Sequence, residues 1–293
     1  MKILKFQNKY FISIFILLFI ILIAKICRAS GASVEKIKQR GYLLWGSDAE
    51  GGAPYIFPDP KNPDNYIGFE VEIADAIANE LGVKAKQFQN AWDSLVPSLE
   101  RGDFDIAMNG IEITSEREKT ISFSIPYYIY TEQLVVKTED IRIKGINNLK
   151  GMKVGTLSGT VAQDMLTKMG GVEVKIYPGQ VQPYEDLALG RIDAVLLDLP
   201  IASFYAKPNP KLKYAGSPVG KGFYGIAIRK EDVDLKIAID GIIEKLIKTG
   251  KLKRIYEKWS MWNEIQEGLF EPLALSKNDK DHVELSDSKK TPV

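Results

Sequence analysis

The chain has 293 residues, 45% hydrophobic and 26% charged, which suits one large or two modest globular cores and excludes wholesale disorder. Its first 29 residues carry five cations and no acid, so the remainder holds 34 basic against 38 acidic residues, a formal net of −4 that argues against a nucleic-acid partner. The single cysteine, Cys27, and the single histidine, His282, fall near the two ends, so the body offers no disulfide, no thiol nucleophile, no His-dependent triad and no Cys- or His-based metal site.

Tyr10–Ala24, YFISIFILLFIILIA, is an apolar run behind three lysines. As a helix it spans about 22 Å, short of a hydrocarbon core of roughly 30 Å. Residues 1–29 therefore read as a secretory signal peptide that sends the protein to the periplasm or another extracytoplasmic space, with Ala29, Ser30, Gly31 and Ala32 as the cleavage region. Lys25 and Arg28 behind the run keep an uncleaved anchor open as the rival reading. Ile26, just before Cys27, is too large for a lipoprotein site.

Beyond the leader, helical and strand patterns alternate. VEKIKQR closes on Gly41 as a helix, and YLLWGS reads as a buried strand with Asp48 at its exit. AEGGAPYIFPDPKNPDN, rich in Gly, Pro, Asp and Asn, predicts a long loop. GFEVEIADAIANELGV predicts a helix that puts Ile73, Ile77, Ala78 and Leu81 on one face and ends at Gly82. AWDSLVPSLERG is a second helix, DIAMNG a strand, and SFSIPYYIYTEQLVVK an extended segment broken at Pro126. MKVGTLSGTVAQDMLTKMG reads strand, tight loop, helix; VEVKIYP, a short helix to Gly190, DAVLLD, LPIASFYA and KLKYAG continue the alternation. The last residues, 271–293, form a polar tail of disordered composition. Such alternation is that of α/β lobes, whose sites form at the carboxyl ends of strands. Four exits stand out: Asp48, Asn109-Gly110, Ser158-Gly159-Thr160 and Asp198.

Within IAMNGIEITSEREKTISFS, Ser115 and Glu118 have the spacing of a capping box, which puts Arg117 in the first turn of a short helix. A cation there opposes the helix dipole. Arg117 either points into solvent or faces an anion that the same dipole attracts.

Five motifs in order decide between these readings. GFEVEIADAIANEL (68–81), GIEITSER (110–117), SFSIPYY (122–128), SGT (158–160) and GRIDAVLLD (190–198) resemble the family 3 extracellular solute-binding proteins, amino-acid receptors of bacterial ABC transporters, along residues 34–262. The resemblance implies an α/β, two-lobed periplasmic-binding-protein fold with the ligand in the interlobe cleft. Lobe 1 would comprise 34–127 plus 224–270 and lobe 2 128–223, with two hinge crossings near Pro126–Thr131 and Gly220–Tyr224. It implies a monomer that hands a small-molecule amino acid to an ABC transporter permease, without cofactor, metal or catalysis.

The resemblance also assigns residues. Arg117 would grip the ligand's α-carboxylate bidentately, as a lysine cannot. Backbone N–H groups of Thr160 and Val161 would assist at a helix N-terminus. Asp198, with the Gly110 carbonyl, would take the α-ammonium, because a buried zwitterion needs partners for both charges. Trp92 occupies an aromatic platform of the family. Two departures stand out: Glu112 where Ser or Thr is usual, and Gly51 where an aromatic often stands. Asp48, Glu50 and Glu112 therefore crowd the pocket with carboxylates, and the surplus predicts a cationic amino acid such as lysine, arginine or ornithine, with glutamine and histidine next. Each assignment has a plainer rival: Trp92 as core packing, Glu50 as a solvated loop acid, Glu112 as a surface partner of Arg117. The rival function is a periplasmic dehydratase on the same scaffold, which needs a buried, protonated acid for which Glu112 or Glu50 are the candidates.

Overall fold

A computed structural model of the protein describes residues 32–50 and 52–270. The expected signal peptide, Cys27, His282 and the expected polar tail lie outside the described residues, and no helix among the described residues is long and apolar enough to cross a membrane.

Two sheets organise the chain. The first takes its strands from β1 (Tyr42–Ser47), β4 (Lys84–Gln89), β5 (Ile106–Ala107), β6 (Ile121–Phe123) and β13 (Ala227–Arg229), in the order β4-β1-β5-β13-β6. The second runs β11-β7-β10-β8-β9, from β7 (Tyr128–Lys137), β8 (Lys153–Leu157), β9 (Glu173–Tyr177), β10 (Ala194–Asp198) and β11 (Leu212–Tyr214). A sixth strand, β12 (Val219–Tyr224), pairs antiparallel with the start of β7. Parallel pairs such as β1·β4 and β8·β9 require crossovers, and helices supply them: α1 (Ala32–Arg40), α2 (Phe69–Leu81) and α3 (Leu95–Arg101) near the first sheet, α4 (Val161–Met169), α5 (Gln182–Ala188) and α6 (Leu199–Tyr205) near the second. The helices α7 (Val233–Lys248) and α8 (Lys251–Lys258) complete the first lobe, α7 packing on α1 and α8 on α2.

Strands covered by helices on both faces need continuous apolar sequence, and all five residues of β10, AVLLD, are buried. One apolar cluster runs unbroken from Leu43, Ile73 and Ile77 through Tyr128 and Tyr224 to Leu197 and Ile201. The opposite faces have separate cores, Leu99 with Phe104 in one lobe and Leu149 with Leu196 in the other. The chain crosses between lobes twice, side by side: Tyr127 N–H donates to the Tyr224 carbonyl at 3.1 Å and Ser124 N–H to that of Ile226 at 2.9 Å. Gln266 locks β7 at this crossing, its amide exchanging hydrogen bonds with both the N–H (3.0 Å) and the C=O (2.6 Å) of Ile129.

The helix predicted from GFEVEIADAIANEL is α2, with Ile73, Ile77, Ala78 and Leu81 buried and Gly82 left-handed at φ 78 as its stop. Two local expectations are corrected. The predicted long loop contains a hairpin, β2 (Phe57–Asp59) with β3 (Asn62–Ile67), which tolerates Pro58 and Pro63 because it is a two-stranded ribbon with no inner strand. The turn at Arg117 starts one residue earlier than the predicted capping box: Thr114 Oγ1, rather than Ser115, accepts from the Arg117 N–H at 3.2 Å, and the turn is a 3-10 helix over Arg117–Lys119. Thr114 follows Ile113, whose N–H is held by the Phe223 carbonyl at 2.8 Å, so chain direction is already fixed before Ser115.

Candidate functional site

The four strand exits converge on one cleft between the lobes. Asp48 leaves β1, Asn109-Gly110 follows β5, Thr160 follows β8, and Asp198 ends β10; Glu50, Tyr55, Trp92, Glu112 and Gln180 complete the walls. The lobes are bridged across it. Trp92 Nε1 donates to the Ser158 carbonyl at 2.9 Å, Arg117 to that of Gly159 at 2.8 Å, and Gln180 Nε2 to that of Ala53 at 2.8 Å.

Local geometry explains the positions. Gly110 sits at φ +64, and a Cβ there would meet the Tyr55 ring at 2.7 Å, so only glycine fits. Its N–H donates to Glu70 Oε1 at 2.7 Å, and Tyr127 donates to the same oxygen, which ties the loop to the signature helix and to the hinge. Asp48 is an organiser: its carboxylate accepts from the N–H groups of Glu50 (2.9 Å) and Trp92 (3.1 Å) and from Gln89 (3.0 Å). Glu50 lines the mouth and is exposed.

Arg117 does face an anion, and that anion is Glu112. The backbone of Glu112 bridges to Tyr224 at the hinge, which aims its side chain along the cleft floor. One Arg117 nitrogen donates to both the Glu112 carbonyl (2.7 Å) and Glu112 Oε2 (2.5 Å). Glu112 Oε1 accepts at 3.1 Å from the Val161 N–H, the first residue of α4, while Thr160 caps that helix by accepting from Gln163 at 3.3 Å. The Glu112 side chain is 1% exposed, so the pairing is buried, not at the surface as the plainer reading held. Over the Trp92 ring, 5.7 Å from its centre, lies the Arg117 guanidinium.

A second group of acids sits beside the first. Asp198 and Glu132 face each other in the β10·β7 register, 4% and 0% exposed. Tyr224 donates its hydroxyl to Asp198 and contacts the Tyr55 hydroxyl at 2.8 Å, while the Tyr130 ring stacks on that of Tyr224 at 4.8 Å. Apart from Asp198, with which it shares a hydrogen bond, Glu132 has no hydrogen-bond partner among the described residues. Burial, then the charge of Glu112, lifts the Asp198 pKa to about 7, and burial with the charges of Asp198 and Glu112 raises that of Glu132 well above the carboxylate range. Burial also takes Glu70 up to about 8. The requirement for a protonated acid, assigned from sequence to Glu112 or Glu50, is thus corrected: Glu112 is ion-paired and Glu50 exposed, and the proton-holding acids are Glu132, Asp198 and Glu70.

Sequence reasoning missed Glu132, Glu70, Tyr55, Tyr224 and Gln180. One signal for Glu132 was available: TEQ interrupts the otherwise apolar or aromatic YIYTEQLVV, and an ionisable group in a strand buried on both faces is rarely packing. The cleft has no cluster of His, Cys, Asp or Glu arranged to hold a metal among the described residues.

Two α/β lobes joined by paired crossings, with polar strand exits facing each other across a bridged cleft, define a solute-binding protein. The chain belongs to the bacterial extracellular solute-binding proteins, family 3, whose model matches residues 45–261. It is 37% identical over 229 residues to the L-cystine-binding protein TcyJ of Escherichia coli strain K12, covering 77% of this chain and 85% of that one. It is 32% identical over 216 residues to the L-arginine-binding protein of Pseudomonas aeruginosa, covering 68% and 82%. Among solved structures it resembles an ancestral amino acid-binding protein described as a precursor of cyclohexadienyl dehydratase, with 31% identity, a TM-score of 0.73, and 78% and 99% of the two chains covered.

Proposed function

We propose that this protein is an exported receptor that captures a small cationic solute, an amino acid or its close chemical kin, between its lobes and delivers it as a monomer to an ABC-type permease. Residues 1–29 act as the export signal, 34–127 with 224–270 form one jaw, and 128–223 the other. One observation carries the reading. The cleft buries Glu112, Glu132 and Asp198 against a single cation, Arg117, which Glu112 already neutralises. A positive ligand group supplies the charge that Asp198 and Glu132 lack, as a buried ion requires. Asp198, Trp92 and the Gly110 carbonyl face the ligand, Arg117 and the Val161 N–H close the seat through Glu112 beside Thr160, and Asp48 and Glu50 stand at its far end.

The experiment is a competition series by thermal shift and calorimetry. A ligand at 100 times its dissociation constant stabilises the protein by about 2.7 kcal/mol. Lysine, arginine, ornithine and their amines are expected to outcompete glutamate and leucine; preference for glutamate or an aliphatic amino acid refutes the reading.

A second reading has one observation behind it, the proton-holding Glu132 buried beside Asp198, which is the kind of acid a dehydratase uses. The proposed function excludes turnover. Prephenate and arogenate incubated with the protein are expected to return unchanged by chromatography, and product that disappears in Glu132→Gln favours the enzyme.

A further inference from the structure

The cleft contains two groups suited to hold a carboxylate: the Arg117 guanidinium, whose planar fork matches two oxygens, and the N-terminus of α4 at Val161. They stand on opposite lobes, so a carboxylate between them would close the jaws. A carboxylate is already there. Glu112 Oε2 lies 2.5 Å from Arg117 and Oε1 lies 3.1 Å from the Val161 nitrogen, one oxygen for each lobe. Arg117 spends its second terminal nitrogen on the Gly159 carbonyl, at 2.8 Å. Both anion-holding groups are occupied from within the chain.

The remaining cleft is hostile to an anion. Beyond Glu112 it offers Asp198, with Glu132 buried at its side and without a cation, and the carboxylates of Asp48 and Glu50 toward the mouth. A ligand carboxylate entering there meets Asp48, Glu50, Glu112 and Asp198 and finds no guanidinium or ammonium among the residues lining the cleft. An ammonium or guanidinium meets acceptors at Asp198 and at the Tyr55 and Tyr224 hydroxyls.

We propose that Glu112 is a built-in substitute for a ligand carboxylate, and that the solute this cleft takes is a carboxylate-free cation, an amine or a guanidine. The inference rests on the cationic reading above and narrows it: the receptor supplies the carboxylate that bridges its own lobes, and the solute supplies only positive charge. Glu112 is then a specificity residue, rejecting amino acids by holding the seat their carboxylate needs.

Three matched pairs test this by calorimetry on the exported protein: arginine with agmatine, ornithine with putrescine, and lysine with cadaverine. Members of a pair differ only in the carboxylate. The decarboxylated member of the preferred pair is expected to bind at least about tenfold tighter, a ratio that one unpaired buried charge readily exceeds. Glu112→Thr, which frees Arg117 and the Val161 N–H, should invert that order. Arginine, ornithine or lysine binding as tightly as, or more tightly than, its amine in the unmodified protein overturns the inference and leaves the cationic reading intact. Binding of none of the six, or a preference for glutamate or leucine, overturns both. Should Glu112→Thr fail to fold, Glu112→Gln keeps the shape while removing the charge, and the ranking in the unmodified protein decides alone.

Discussion

Arg117–Glu112 and Asp198–Glu132 lie in the same cleft and solve opposite problems. The first is a charge pair that bridges two lobes with every oxygen of Glu112 satisfied; the second is a pair of acids with no cation, held by one tyrosine hydroxyl and by protons. Buried charges are tolerated only with partners. The first pair therefore has its partner built in, and the second waits for one. A receptor needs both kinds of site, a finished contact to set the closed geometry and an unfinished one for the ligand to complete.

The largest effect on stability should come from breaking the finished pair. Arg117→Ala leaves Glu112 buried without its cation, and the ligand-free protein is expected to lose about 3 kcal/mol, discounted for the partial exposure of Arg117. Arg117→Ala combined with Glu112→Thr should recover most of that loss in urea unfolding; an additive loss would show that the two side chains do not act together.

Asp198→Asn tests the unfinished pair. It should leave stability within about 1 kcal/mol or raise it, yet weaken binding of the preferred cation by roughly 10² to 10⁴ in calorimetry. Equal binding by the variant would remove Asp198 from the site.

The pH dependence follows from the raised acids, and its sign is opposite to that of a salt-bridged carboxylate. Asp198, at about 7, and Glu70, at about 8, bind protons in the folded state that their unfolded forms release near ~4. The folded state therefore holds more protons between about pH 4 and 8, and stability falls as pH rises through that window, by at most about 1.4 kcal/mol per pH unit for each proton. Thermal melts of the ligand-free protein should decline from pH 5 to 8, and Glu132→Gln should lessen the decline. A rise over this range would contradict the protonated pair.

The smallest effect concerns closure. Trp92→Phe keeps the ring but loses the bond to the Ser158 carbonyl, about 1 kcal/mol, and should speed ligand release severalfold in stopped flow.

The contrast between the two pairs also marks what the sequence can and cannot disclose. Arg117 and Glu112 stand five residues apart in one motif, and Glu112 is conspicuous as a carboxylate where a hydroxyl is usual. Asp198 and Glu132 are 66 residues apart and meet only because β7 returns antiparallel beside β10, a register no local pattern encodes. The same holds for Tyr55, in the predicted loop, and Tyr224, at the predicted hinge, whose hydroxyls meet only in the fold. The lobes, by contrast, follow from periodicity and from glycine stops such as Gly82, which are local. The hairpin at Phe57–Ile67 escaped because its prolines signal loop as strongly as they permit an edge ribbon.

The account turns on a cation displacing protons from the buried acids, which face Glu112, Tyr55, Tyr128, Tyr130, Tyr184 and Tyr224 as their charged and titratable neighbours. Calorimetry of the preferred solute at pH 6.5, repeated in buffers of differing ionisation enthalpy, measures that exchange directly. The account predicts a net release of about one proton for each cation bound, because Asp198 and Glu132 titrate together and give up protons when a positive charge arrives. Enthalpies that do not vary with buffer, or that report proton uptake, would contradict it.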